Sequence, residues 1–278
     1  MIPAGFDYVQ PKTLDEALAA LASPDAKVLA GGHSLIPAMK LRLAQPKTVV
    51  DLGRVGDLSY VHEHGEQLAI GAMTTHYDIE SSALLAEKCP LMPEVAAQIG
   101  DVQVRNKGTL GGSLVHADPA ADWPAAILAL DAEMEIAGPS GRRAVKARDF
   151  FVDMMQSAVQ PSEILVEIRV PVTGRSVAYV KFAQKASGFA IAGVAAVTDG
   201  TNGTNAVGIT GVAPKAYRAR AAEAALGGKT LTKQLIAEAA AKAAEGVEAL
   251  NDIHASAEFR AHLACVNARR ALELAASR

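Results

Sequence analysis

The sequence predicts an α+β protein in two parts. A two-lobed domain covers residues 1–174, and a small C-terminal domain covers 175–278 with a three-stranded antiparallel sheet and helices. Three observations carry this. Residues 6 to about 58 alternate strand and helix patterns, and residues 59–174 change to a hairpin and Pro-punctuated helices. Beyond residue 177 the strands come first and the helices afterwards.

In the first lobe (1–58), "FDYVQP" reads as a short strand and "TLDEALAALA" as a helix, with Thr13 and Glu16 at capping-box spacing. "AKVLAGG" reads as a buried strand, "SLIPAMKLRLA" as a second helix and "KTVVDLG" as a further strand. The β-α-β-α-β order implies a small, mostly parallel sheet. In the second lobe (59–174), "SYVHEHGEQLAIGAM" is a hairpin turning near His64-Gly65, and helical segments punctuated by Pro90 and Pro93 run to Gly100. Residues 100–138 read as loop, glycine turn, helix and strand. "PSGRR" is a polar turn, and "ILVEIRVP" a strand ending at Pro171.

"VTGRS" (172–176) is the linker. "VAYVKFAQK", "FAIAGVAAVT" and "NAVGITGVA" are three successive strands, the last two joined by the turn-rich "DGTNGTN". Residues 219–278 are Ala-, Leu-, Glu- and Lys-rich at helical spacing, and "AEFRAHLACVNARRALELA" is the clearest amphipathic helix.

Bulk composition excludes several classes. The chain has 278 residues, net charge −3 and pI about 6.2. That balance gives no electrostatic footprint for nucleic acid or a membrane surface. The seven histidines form no metal-ligand spacing. Two cysteines, Cys89 and Cys265, argue against a disulfide framework and for a reducing cytoplasm. They are also too few for an iron–sulfur cluster, which takes four thiolates. The N-terminus lacks a secretory pattern, and no apolar run approaches the roughly 20 residues of a membrane helix. A soluble, cytoplasmic protein is expected.

Two glycine turns carry the chemistry. In "LAGGHSLIPAMK", Leu29 closes a strand, Gly31 and Gly32 turn the chain, and Ser34 is placed as a helix N-cap with Pro37 in the first turn. Backbone N–H groups at the positive end of a helix suit an anion. "TLGGSL" repeats the device with Thr109, Gly111, Gly112 and Ser113. Asp118 follows, and then Asp122 as a further N-cap before "WPAAILAL". Two such turns about 80 positions apart suit the two phosphates of one pyrophosphate. A carboxylate near the second could take a ribose or ribityl hydroxyl. Neither turn is G-x-G-x-x-G and neither has a Walker lysine, so the ligand would be a dinucleotide held outside the Rossmann scheme.

"AGGHSLIPAMKLRLAQP" and "RNKGTLGGSLVHADPAADWPAA" resemble the flavin-binding medium subunits of molybdenum hydroxylases, the carbon monoxide dehydrogenase and xanthine dehydrogenase group. "EILVEIRVP", "KFAQKASGFAIAGVAA" and the C-terminal helix follow in the family's order, so the resemblance spans essentially the whole chain. It implies the two-lobed FAD-binding fold shared with vanillyl-alcohol-oxidase-like flavoproteins, and noncovalent FAD. By that resemblance Leu29, Ala30, Gly31, Gly32, His33, Ser34 and Leu35 form a first cradle, and Thr109, Gly111, Gly112 and Ser113 a second. Gly100 and Val104 lie along the cofactor, His116 is a polar contact, and Asp122 meets a flavin hydroxyl. Leu165 touches the ring, Lys185 is a cation at its carbonyl edge, and Phe189 covers one face. Asp122 also reads as a plain cap, Phe189 as plain core, and Arg105 and Lys107 as a solvated basic loop.

The function implied is electron transfer from a partner's iron–sulfur clusters through FAD to an external acceptor. The partners implied are a small iron–sulfur subunit and a large molybdopterin subunit, as a dimer of heterotrimers. A stand-alone oxidase with flavin covalently bound at His33, and a non-catalytic nucleotide-binding protein, are the alternatives.

Overall fold

The structure is a computed structural model and describes residues 1–174, 176–198 and 205–278. Arg175 of the linker and most of the "DGTNGTN" turn lie outside the described residues.

The first lobe contains β1 (Asp7–Val9), α1 (Leu14–Leu21), β2 (Ala26–Leu29), α2 (Leu35–Lys40) and β3 (Thr48–Asp51). Its sheet is fully parallel, in the order β1-β3-β2. β3 is the buried strand, with Val49 and Val50 enclosed, because it is the central one. β2, expected to be buried, is an edge strand with Lys27 in solvent. The Thr13 hydroxyl accepts from the Glu16 N–H and caps α1, but the Glu16 carboxylate reaches back to the Lys12 N–H and not to Thr13. α2 stops well short of the expected "SLIPAMKLRLA". Arg42 takes a positive φ of 58°, which ends the helix and leaves Leu43 exposed.

The second lobe is wound on a five-stranded antiparallel sheet, β4-β5-β10-β6-β7. β4 (Val61–His64) and β5 (Gln67–Gly71) form the expected hairpin across Gly65. Six helices follow: α3 (His76–Glu80), α4 (Ala83–Lys88), α5 (Leu91–Ala96), α6 (Val102–Arg105), α7 (Leu110–His116) and α8 (Trp123–Ala129). α6 falls where the sequence read as a loop. Asp101 caps it by accepting from the Gln103 and Val104 N–H groups, but four residues are too few to show a period. β6 (Glu133–Gly138) turns into β7 (Gly141–Lys146), so "PSGRR" is a turn only at Pro139-Ser140. Its arginines begin an exposed edge strand, where charge discourages further pairing. A short helix α9 (Ala147–Phe150) and the small pair β8 (Phe151–Asp153) and β9 (Gln156–Ser157) lead to β10 (Ile164–Pro171), which returns to the centre of the sheet.

The C-terminal unit has β11 (Val177–Ala183), β12 (Ala190–Thr198) and β13 (Asn205–Thr210) in antiparallel order, with a fourth strand of two residues, β14 (Tyr217–Arg218). α10 (Arg220–Leu226), α11 (Lys233–Ala240) and α12 (Ala257–Ala276) follow. α12 packs along β11 and β12, presenting Leu263, Ala264, Ala268, Ala271, Leu272 and Ala275 at helical spacing. Two buried polar residues share that stripe. The Arg260 guanidinium donates to the carbonyls of Ile191 and Gly211 and pairs with Asp252. The Asn267 amide donates to Ala192 O.

The other side of this sheet receives α8 of the second lobe. Gly208 permits the approach, because a Cβ there would lie 2.0 Å from Ala125 O. The seam is hydrogen-bonded as well. Gly211 N–H donates to Pro119 O at 2.7 Å, Ala190 N–H to Ala120 O at 3.1 Å, and the Thr210 hydroxyl to Ala121 O at 2.7 Å. One apolar cluster runs through the seam, from Trp123 and Ile127 to Val177, Tyr179 and Ala195.

Candidate functional site

The first glycine bend lies on the second glycine segment. An added Cβ on Gly31 would meet Lys107 O at 2.2 Å and Gly108 Cα at 2.7 Å, backbone atoms that cannot swing away. One on Gly112 would come within 3.3 Å of Ala30 Cβ. Glycine at 31 is therefore required by a neighbouring chain 76 positions further on. Gly32 is required by its own backbone, at φ +79°.

The bend carries unused donors. Among the described residues, no backbone N–H from Ala30 through Leu35 donates to a protein acceptor. Six successive free amides at the start of α2, on half-buried to exposed residues, form an anion-binding concavity without any lysine. Ser34, expected as the N-cap, makes no capping bond, since its backbone is already helical and turns the hydroxyl away.

The second segment differs from the expected turn. Gly111 and Gly112 lie inside the first turn of α7, and Thr109 is its cap, accepting from Gly112 N–H at 3.1 Å. Leu110 N–H donates to Thr74 O and Gly111 N–H to Ala72 O. These three amides are engaged, so this segment supplies a wall and not a second set of free donors. Gly111 earns its place by contact, because a Cβ would lie 2.6 Å from that of Ala72. Ser113 is half-buried one residue on, and His116 ends the helix half-buried.

Behind the wall stands a pair the sequence did not single out. His76 is buried, and its Nδ1 accepts from the Trp123 indole N–H at 3.1 Å. Its own N–H donates to Gly108 O at 2.9 Å, and its Nε2 fills the space where a Gly108 side chain would go. Burial, reinforced by the positive charges of His33 and Arg105, lowers its pKa to about 4, so the ring is neutral at ordinary pH.

A third group ties the C-terminal unit to the second lobe. Lys181 on β11 is buried. Its ammonium donates to Gln98 O at 2.6 Å and Gly188 O at 2.8 Å, and pairs with Asp122 at 3.0 Å. Tyr179 donates to the same carboxylate, and Gly193 on β12 leaves room for its hydroxyl. Burial raises the Asp122 pKa from its ordinary value, while Lys181 and Tyr179 pull it back. Asp122 thus serves neither as an N-cap nor with its carboxylate free; Lys181 and Tyr179 already engage it. Asp118 is engaged too, accepting from Ala120 N–H.

A Cβ added to Gly188, at φ +76°, would lie 4.0 Å from Gly100 Cα, so the turn bearing Phe189 adjoins Gly100 just ahead of α6. Phe189 is 48% exposed and is not core. Lys185 is exposed in that turn, and Lys181 is the buried lysine of the segment. Arg105 is no solvated loop residue: it pairs with Glu80 and donates to the carbonyls of Ile99 and Gly100, bracing the loop. Lys107 is exposed, as expected. Leu165 points into the second-lobe core at 4% exposure, away from any open surface.

A bend of free amides against a side-chain-free wall, with an exposed aromatic on a turn that adjoins Gly100, suits a phosphate-bearing aromatic cofactor. Residues 4–173 match the family described as the FAD binding domain in molybdopterin dehydrogenase, and residues 177–275 match the CO dehydrogenase flavoprotein C-terminal domain. The chain is 40% identical to the carbon monoxide dehydrogenase medium chain of Hydrogenophaga pseudoflava, over 100% of this chain and 99% of that one. It is 35% identical to the 6-hydroxypseudooxynicotine dehydrogenase complex subunit alpha of Paenarthrobacter nicotinovorans, over 100% and 97%. A solved chain of the Hydrogenophaga pseudoflava carbon monoxide dehydrogenase lacking the Mo-pyranopterin moiety aligns with TM-score 0.96 and 42% identity, over 100% and 99%. The chain belongs to this family of FAD-binding medium chains of molybdenum-dependent dehydrogenases, and it is an oxidoreductase subunit.

Proposed function

We propose that the chain is the electron-transfer subunit of a heterotrimeric molybdenum hydroxylase and holds FAD noncovalently in the crevice between the glycine segments. The single observation behind this is the run of free N–H groups from Ala30 to Leu35 at the point where Gly31 touches Lys107 and Gly108. Leu29, Ala30, Gly31, Gly32, His33, Ser34 and Leu35 would bind the pyrophosphate through backbone donors. Thr109, Gly111, Gly112 and Ser113 shape the opposite wall. Gly100, Val104 and His116 border the cofactor, with Asp122 beside its polyhydroxyl chain. Phe189 covers the ring, with Lys185 on the same turn and Leu165 supporting from the core.

Bound there, FAD supplies a carrier that links one-electron partner clusters to an external acceptor. The chain's two cysteines are too few for an iron–sulfur cluster. Those clusters belong to a small subunit and the molybdopterin to a large one, in a dimer of heterotrimers in the cytoplasm. Among the described residues no helix is long and apolar enough to cross a membrane.

The test is the absorbance of the purified chain. A yellow protein that releases FAD on acid precipitation is expected. Colour retained in the pellet would point to covalent attachment at His33, and a chain that never takes up FAD would overturn the proposal.

A further inference from the structure

Among the buried polar groups, His76 bears most directly on the crevice without lining it. Its Nδ1 faces an indole N–H, which can only donate, so Nδ1 must stay unprotonated for the 3.1 Å bond to exist. On the other side, Nε2 abuts Gly108, and the His76 backbone N–H separately holds Gly108 O at 2.9 Å. The Lys107-Gly108 peptide is the element pressed on Gly31. Isolated pairing of Thr75 with Thr109 ties the same two segments together.

We propose that His76 is a positioning residue for the flavin crevice: in its neutral form, anchored by Trp123, it wedges the Lys107-Gly108 peptide against the Ala30–Leu35 bend, and its protonation loosens the grip on FAD. Protonation puts a hydrogen on Nδ1, pointed at the Trp123 donor. The bond becomes a repulsion, and the ring must move away from Gly108 or from the indole.

The surrounding charges oppose that protonation. His33 faces His76 from the first bend and Arg105 from α6, the latter paired with Glu80 on α3. Asp78 on the same helix is bound to Thr75. On α5, Glu94 is paired with Arg278, and beside Trp123 Asp122 is paired with Lys181. Lys107 lies exposed on the wedged loop. No carboxylate is thus left free to stabilise an imidazolium. The pKa is lowered from 6.5 to about 4, so loss of grip is expected as the pH falls to about 4 and below, not on the alkaline side.

The inference rests on FAD occupying the crevice, and the full chain tests the two separately. Trp123 is the only tryptophan, so its emission in the FAD-free chain reports on His76 directly. Emission is expected to titrate with a midpoint near pH 4 and with unchanged far-UV dichroism, and to lose that transition in His76→Gln. The dissociation constant for FAD, followed by flavin fluorescence, should rise by up to about tenfold per pH unit as the pH falls below about 4 in the wild type. It should stay flat in His76→Gln, whose amide accepts the indole bond at every pH. Trp123→Phe removes the donor and should shift the weakening to higher pH. His76→Leu should bind FAD about tenfold more weakly even at pH 7, because it leaves the indole N–H without a partner.

A wild type that binds FAD with the same pH profile as His76→Gln overturns the wedge and leaves the flavin site standing. A folded chain that binds no FAD at any pH overturns both.

Discussion

At Gly31 a single methyl group is too much. Its Cβ position is 2.2 Å from Lys107 O, and the obstacle is backbone. Overpacking of this kind costs about 1–3 kcal/mol where the structure can yield. Here yielding means separating the bend from its wall. We expect Gly31→Ala to weaken FAD binding by at least about tenfold while the C-terminal sheet keeps its fold, measured by flavin titration and amide exchange. Gly32→Ala should do less through packing, since its Cβ would meet only the end of the Ile36 side chain, and more through its φ of +79°. The sequence displayed both glycines as a pair, but it could not display what pressed on them. Lys107 O is contributed by a residue whose side chain is irrelevant, so no residue type marks it. His76 and Lys181 were hidden for a related reason. Each is a single polar residue in an apolar setting, and its meaning comes from partners 47 and 59 positions away.

Elements show which local signals were sufficient. Thr13, Thr75, Ser82, Asp101, Thr109, Thr232 and Ser256 all accept the bond that a cap predicts, and the helices begin where these residues stand. Ser34 and Asp122 have the right identity and the wrong backbone, being already helical at ψ −51° and −42°. Residue type alone cannot separate the two cases. The difference is measurable: Ser256→Ala is expected to cost about 1 kcal/mol in denaturant unfolding. Ser34→Ala, with no bond to lose, should stay within about 0.5 kcal/mol in the FAD-free chain. A loss of 1 kcal/mol at Ser34 would mean that its hydroxyl caps α2 in solution. The parallel first-lobe sheet, the 59–73 hairpin and α12 were legible because periodicity survives over their length. The two-residue β14 and the four-residue α6 were not, since neither is long enough to repeat its pattern twice.

Across the whole molecule, the proposed flavin site draws on three parts: the amides come from the first lobe, the wall from the second, and Phe189 from the C-terminal unit. Lys181 is the tie between the last two. Its ammonium joins the Gln98 carbonyl before the Gly100 loop, the Gly188 carbonyl under Phe189 and the Asp122 carboxylate at the head of α8. Both partners of the pair are 5% exposed, so removing one strands a charge in the seam. We expect Lys181→Met to destabilise the chain by about 3–5 kcal/mol. Asp122→Asn with Lys181→Met should recover part of that loss, because the stranded carboxylate is gone. If the pair served only stability, the double variant would also recover FAD binding. If Lys181 sets the separation of the two loops, stability should return while the flavin spectrum stays altered, because no cation spans the Gln98 and Gly188 carbonyls. Unfolding curves and flavin absorbance on the wild type and these two variants decide between the outcomes.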